Sequence, residues 1–354
     1  MGGIFGMDLP GGGGLSGTLG GTGGSGSSFN LSGILGGAGG SGGSSNLSGI
    51  LGGAGGTGGS FNLSGLLGGG SSGGLGGLSS GGFDLSSLFP AGDEYPKGPF
   101  LVSDYLSPGT GPYPAGIIKD AGLENHTVYA PLGPPPADVK LPVLIWGNGG
   151  CTSAGTPYGA FLTEVASYGY VAIANGAPGP APPGVMSDMF GAIDWVVEGN
   201  AARFGNVDTD TFITAGSSCG GLEAYSAAYQ NPKVKLTVLY NSGLLDESKT
   251  CLLSELKAPV GYILGGPKDI SYENGKRDYE NLPAGLPAFY GSLDSGHMGT
   301  FFTTHGGKYG AATVALLEWV LRGNATAKAI WTVPESKGSL VSQNWNITYK
   351  NWVD

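Results

Sequence analysis

Residues 211–225, TFITAGSSCGGLEAY, constrain this chain more than any other stretch. The apolar run Phe212-Ile213-Thr214 predicts a buried strand, and residues 222–229 predict a helix. Between them Gly216-Ser217-Ser218-Cys219-Gly220 fits G-x-S-x-G with Ser218 at its centre. Among 73 glycines such a pattern can arise by chance. The strand before it and the helix after it give it meaning, because a nucleophilic serine is presented on a sharp strand-to-helix turn. Glycine on both sides removes the side chains that would crowd the turn. The helix then directs its first amides toward the place where an oxyanion would develop.

Composition divides the chain in two. Residues 1–90 hold 37 glycines and two charged residues, Asp8 and Asp84. The first Lys or Arg is Lys97, and all six tryptophans lie at or beyond Trp146. A 16-residue period runs through Asn30-Leu31-Ser32-Gly33, Asn46-Leu47-Ser48-Gly49 and Asn62-Leu63-Ser64-Gly65. A Gly/Ser-rich chain with so few large side chains cannot offset its ordering entropy, so residues 1–90 are expected to be a disordered, low-complexity arm without a catalytic role. Residues 91–354 suffice for one large α/β domain.

A net charge of −10 and a pI near 4.7 argue against a basic nucleic-acid groove. No apolar run approaches a membrane span. The N-terminus lacks the basic start and apolar core of a signal peptide. Against that, six N-x-S/T sequons, at Asn30, Asn46, Asn62, Asn125, Asn324 and Asn346, favour the secretory route, so an extracellular protein is expected.

Within the second part, strands are predicted at 97–105, 127–130, 141–146, 170–174, 235–240, 259–264 and, as the last, 288–293. Helices are predicted at 158–168, 185–198 and 309–322, a rigid loop at 176–184, and a tail from 329 that packs along the domain. Strands alternating with helices indicate a three-layer α/β fold around a mostly parallel sheet.

Serine needs a general base, and the base needs an orienting carboxylate. Only His126, His297 and His305 are available. His297, in Asp294-Ser295-Gly296-His297-Met298-Gly299, follows the strand at 288–293, where a base can reach back to the turn. His126 and His305 read as structural. Asp269 follows the strand at 259–264 and is the first choice of acid, ahead of Asp246; Asp294 lies too near His297 in sequence. An oxyanion hole would use the amide of Cys219 and one from Gly149, Gly150 or Cys151 in the loop after residues 141–146. Cys151 and Cys219 then fall side by side. They form either a disulfide that fixes both amides or two buried free thiols. Tyr158, Phe190, Phe301 and Phe302 are candidates for an apolar acyl pocket, and equally for ordinary core.

With Ser218 in GSSCGG, Asp269 in LGGPKDISYENG and His297 in SGHMGTF, in the chain order Ser, Asp, His, residues 100–325 resemble the α/β-hydrolase superfamily. The segments GNGGC and AGSSCGGLEAY are similar to a branch of secreted fungal hydrolases laid out like dienelactone hydrolases and cutinase-like polyester hydrolases. The resemblance implies acyl transfer to water with no metal or organic cofactor. GNGGC departs from the HGGG form of lipases, and the Gly-rich arm matches nothing in the superfamily core. The expected function is a serine esterase acting on a small or polymeric carboxylic ester. The alternative is a non-enzymatic surface or wall-associated protein that keeps the fold, suggested by the repetitive arm. Acyl and alcohol specificity and the oligomeric state stay open.

Overall fold

The apolar run at 141–146 becomes the middle of the sheet. In the computed structural model, which describes residues 107–178 and 189–352, the chain first forms strands β1 (Ala115–Ile118), β2 (His126–Pro131) and β3 (Lys140–Gly147). Helix α1 (Gly159–Ser167), β4 (Val171–Asn175) and α2 (Met189–Val197) follow. Then come β5 (Asn206–Ser217), α3 (Cys219–Ala228), β6 (Val234–Tyr240) and β7 (Val260–Leu264). The last elements are α4 (Tyr272–Asn281), β8 (Ala288–Ser292), α5 (Gly307–Arg322), α6 (Ala325–Thr332) and β9 (Asn346–Lys350).

The nine strands make one sheet in the order β1-β2-β4-β3-β5-β6-β7-β8-β9. Strands β4, β3, β5, β6, β7 and β8 run parallel. β1, β2 and β9 are joined to that block by antiparallel pairings. The parallel strands are buried on both faces, so their sequences are nearly continuous apolar runs rather than alternations. On one face Leu144, Trp146, Ile213, Val238 and Phe289 share a core cluster with Phe161 and Val165 of α1, Leu316 and Trp319 of α5, and Trp331 of α6. The alternate residues Val143, Ile145, Val171 and Ile173 are equally buried but belong to the other face, where α2 and α3 pack on β3 and β5. The architecture is thus α/β, a mixed and mostly parallel sheet between helical layers.

Tyr158 and Phe301 are buried with Trp146, Phe161 and Tyr240 in a cluster of tilted and edge-on rings, centroids 4.9–5.7 Å apart, so these two are core rather than pocket wall. The strand expected to be last is not. β9 adds to the edge beyond β8, with Tyr290 facing Thr348. Three more elements escaped the sequence reading: β1, α4 and α6. The N-cap of α6 is a sequon asparagine, Asn324, whose side chain accepts from the amides of Thr326 and Ala327.

The strand expected at 97–105, the arm and its repeats lie outside the described residues, as does the stretch 179–188 that would hold most of the rigid loop and the start of the helix expected at 185–198. Among the described residues no helix is long and apolar enough to cross a membrane.

Candidate active site

β5 ends at Ser217 and α3 begins at Cys219, which leaves Ser218 alone on the turn. Its backbone sits at φ 52°, ψ −120°, a conformation that L-residues rarely hold. Hydrogen bonds hold it there. The Ser218 amide donates to the Tyr240 carbonyl at 2.9 Å, and its own carbonyl accepts from the Gly221 amide at 2.9 Å and from Ser242 Oγ at 2.7 Å. The flanking glycines are required by packing. A Cβ on Gly216 would come within 2.1 Å of the Gly220 carbonyl oxygen, and one on Gly220 within 2.1 Å of the Gly147 oxygen. The start of α3 therefore rests directly on the backbones of β3 and β5.

His297 Nε2 lies 3.0 Å from Ser218 Oγ, and His297 Nδ1 lies 2.6 Å from Asp269 Oδ1. All three residues sit in turns at the carboxyl ends of parallel strands, β5 for Ser218, β7 for Asp269 and β8 for His297. Asp269 is fully enclosed, and its carboxylate accepts from the amides of Gly265 (3.1 Å) and Ser271 (2.9 Å). The histidine loop is tied to the aspartate loop through backbone, because the amides of Ser295 and Gly296 both donate to the Gly265 carbonyl, at 3.0 and 2.8 Å. The approach is close enough that a Cβ on Gly265 would meet the Gly296 oxygen at 2.0 Å.

Cys151 and Cys219 are joined in a disulfide with Cα atoms 5.3 Å apart, which ties the loop after β3 to the first residue of α3. That loop makes a tight 3-10 turn over Gly149–Cys151, with Gly150 and Cys151 both left-handed at φ 66° and 49°. The turn narrows the oxyanion candidates. The Gly149 amide already donates to Tyr158 Oη at 3.2 Å, and the Cys151 amide to the Asn148 carbonyl at 3.2 Å. Gly150 and Cys219 are the two candidates whose amides donate to no protein acceptor among the described residues. Asn148 anchors the turn from beneath, its Nδ2 donating to the carbonyls of Thr152, Ala154 and Asn175 at 2.8–2.9 Å. Burial pushes the Tyr158 phenol up, and its hydrogen bonds with Ser217 and Gly149 offset only part of that.

The remaining candidates are elsewhere. Asp246 is solvent-exposed and caps a 3-10 segment, its side chain accepting from the Ser248 amide, and its carboxyl is held below the usual range by hydrogen bonds from Ser248. Asp294 is exposed and pairs with Lys268. His126 is buried in β2. His305, at φ 59°, bonds Ser107 Oγ through Nε2 at 2.6 Å. The third cysteine, Cys251, is a free thiol on the surface. No group of three or more His, Cys, Asp and Glu is placed to hold a metal ion among the described residues.

Asn241, Ser242 and Tyr309 were not identified from the sequence as parts of the site, and Tyr158, a candidate for acyl pocket or core, was not expected to bond the Gly149 amide. Asn241 and Ser242 had one usable signal: they follow directly on an apolar strand, in Tyr240-Asn241-Ser242-Gly243, at the end of the sheet where the serine turn lies. Tyr309 had none, since a helix-start tyrosine reads as core.

Set against known proteins, the chain matches no family model and no curated protein. Its class rests on what has been described: an α/β sheet with a Ser–His–Asp line across the ends of its parallel strands.

Proposed function

We propose that this chain is a serine esterase built on an α/β-hydrolase fold. One observation carries the reading: the unbroken line from Ser218 Oγ through His297 to the enclosed Asp269, at 3.0 and 2.6 Å. The strained strand–turn–helix setting of Ser218 and the chain order Ser, Asp, His support the same fold assignment.

Nδ1–H of His297 donates to Asp269, which leaves the Nε2 lone pair facing Ser218. Nε2 takes the hydroxyl proton as Oγ bonds to the ester carbonyl carbon, and the carbonyl π pair moves onto oxygen. The amides of Gly150 and Cys219 receive that oxyanion. The oxygen pair returns, the C–O bond to the alcohol breaks, and the Nε2 proton goes to the departing alkoxide. Water repeats the sequence on the acyl-enzyme, its proton passing to Nε2 and then back to Ser218 Oγ.

An oxidising, extracellular setting suits this molecule. The Cys151–Cys219 bridge persists there, and the sequon asparagines Asn125, Asn324 and Asn346 are all exposed.

Hydrolysis of p-nitrophenyl esters across acyl lengths tests the function. Wild type should turn over, Ser218→Ala and His297→Ala should lose about three to six orders of magnitude in kcat, and a fluorophosphonate should label wild type but not Ser218→Ala. Folded wild type that neither hydrolyses nor labels would sink the esterase and advance a non-enzymatic surface role.

A further inference from the structure

The reaction uses Ser218, His297 and Asp269, yet the Ser218–His297 contact spans two separate turns. The dipeptide between β6 and the next turn touches both. Ser242 Oγ donates to the Ser218 carbonyl at 2.7 Å. Asn241 Nδ2 donates to the His297 carbonyl at 2.5 Å. That carbonyl can only accept, so Nδ2 must face it and Oδ1 must face away. Oδ1 accepts from Tyr309 Oη at 2.9 Å, and Tyr309 Oη in turn accepts from Ser295 Oγ at 3.1 Å. The histidine loop is therefore held at Ser295 and at His297 by one connected set of buried groups.

We propose that Asn241 and Ser242 are positioning residues, a clip that sets the separation between the serine nucleophile and its base. The inference rests on the esterase reading for its kinetic consequence, although the geometry stands without it. Asn241 is fully buried and left-handed at φ 47°. Asparagine is among the few side chains that tolerate this backbone, and it supplies a donor and an acceptor at once. Its own amide donates to the Ile263 carbonyl at 2.9 Å, so the clip is fixed to the neighbouring strand β7. Ser242 has no slack either: a Cβ on Gly221 would meet its Oγ at 2.4 Å. The clip's two prongs thus leave adjacent residues on one strand end, and movement of either turn relative to the other strains a part-buried hydrogen bond.

Asn241→Asp makes a sharp test. Aspartate tolerates the same backbone and still accepts from Tyr309, but it cannot donate to the His297 carbonyl. Asn241→Ala and Ser242→Ala are companions that introduce no charge, and circular dichroism checks that each variant is folded. Two readouts are needed. The first is steady-state kinetics on p-nitrophenyl butyrate and on ethyl butyrate. A misplaced base should lower kcat by on the order of tenfold to a hundredfold while KM is held. The loss should be larger for the ethyl ester, because ethoxide needs the proton from His297 and p-nitrophenolate leaves without it. A merely structural lesion would lower both substrates alike. The second is a crystal structure of Asn241→Ala, in which the imidazole should move off Ser218 Oγ while Asp269 keeps its amide bonds to Gly265 and Ser271. Active variants with the ring in place would overturn the clip and leave the esterase standing. An inert, unlabelled wild type with a displaced ring in the variant would overturn the esterase and leave the clip.

Discussion

Ser218 is held at φ 52° by its surroundings, and the tightest of these are glycines. A methyl group on Gly220 has no flexible neighbour to push aside, since the atom it meets is the backbone oxygen of Gly147. Gly220→Ala should therefore destabilise the fold by about 3 kcal/mol, at the upper end of overpacking costs, and urea denaturation will show it as a lower midpoint. Gly150→Ala is a control with a different origin, because the space is open (nearest atom Thr152 Cγ2 at 3.5 Å) and only the left-handed backbone is strained. Its cost should be smaller, about 1–2 kcal/mol. Asp269→Asn tests the base and its setting together. An amide there can present its NH2 to Nδ1 and stabilise the wrong tautomer, so kcat for ester hydrolysis should fall by about 10⁴; that NH2 would also face the Ser271 amide, which now donates to the carboxylate, so thermal unfolding should come earlier as well. The Cys151–Cys219 bridge closes a loop of 68 residues. Reduction should lower stability by about 4 kcal/mol on chain-entropy grounds, measured as the shift in urea midpoint with and without a phosphine reductant.

Helix α4 has an unusual role among the elements. It buries only Gly275 and Asp278, and the rest of YENGKRDYEN meets solvent or its rim. Asp278 is fully enclosed, accepting from the Leu244 amide at 2.6 Å and from Tyr225 Oη at 3.2 Å, with Arg277 beside it at 3.3 Å and Tyr262 bonded to Tyr225 at 2.5 Å. Burial pushes its carboxyl up from 3.8 to about 6, although the Leu244 amide and Arg277 favour the charged form. The folded state thus keeps a proton that the unfolded chain gives up between those values. Stability from this group is fullest below pH 4 and is lost as pH rises through 6. Relative to Asp278→Asn, wild type should lose about 2 kcal/mol of stability between pH 4 and pH 7, and urea titrations at the two pH values give the difference directly. The same helix explains what the sequence hid. The parallel strands, α1 and α5 were legible because each carries an apolar run or stripe. α4 lacks one, β1 is four residues long, and β9 is an edge strand whose exposed and half-buried residues give no clear alternation. The site was legible for a related reason. Ser218, Asp269 and His297 sit where strand ends can be read. Asn241 shares that strand-end position, but its contacts and those of Tyr309 are buried polar ones that depend on three-dimensional closure, and no local pattern announces the contacts themselves.

At the scale of the whole molecule, the site and its supports draw on a limited part of the chain. Among the described residues, the hydrogen bonds that hold Ser218, His297, Asp269 and the Gly149–Cys151 turn come from residues between Asn148 and Tyr309. The earliest described contact to this half is Ser107 with His305, next to α5 and away from the Ser–His–Asp line. Residues 1–90, with 37 glycines, hold no His, Lys or Arg and only two carboxylates, Asp8 and Asp84. A chain beginning at residue 91 should therefore hydrolyse p-nitrophenyl butyrate with kcat/KM within about twofold of the full chain. Its thermal midpoint should shift little for the same reason. The repeats carry Leu, Ile and Phe at regular intervals, so a role in self-association or in contact with a surface would appear elsewhere. It would be read in sedimentation behaviour or in retention on an insoluble polyester, compared between the two chains. A truncated chain that is folded but slow on the soluble ester would show that the arm reaches the site after all, and the division of labour between arm and α/β sheet would have to be redrawn.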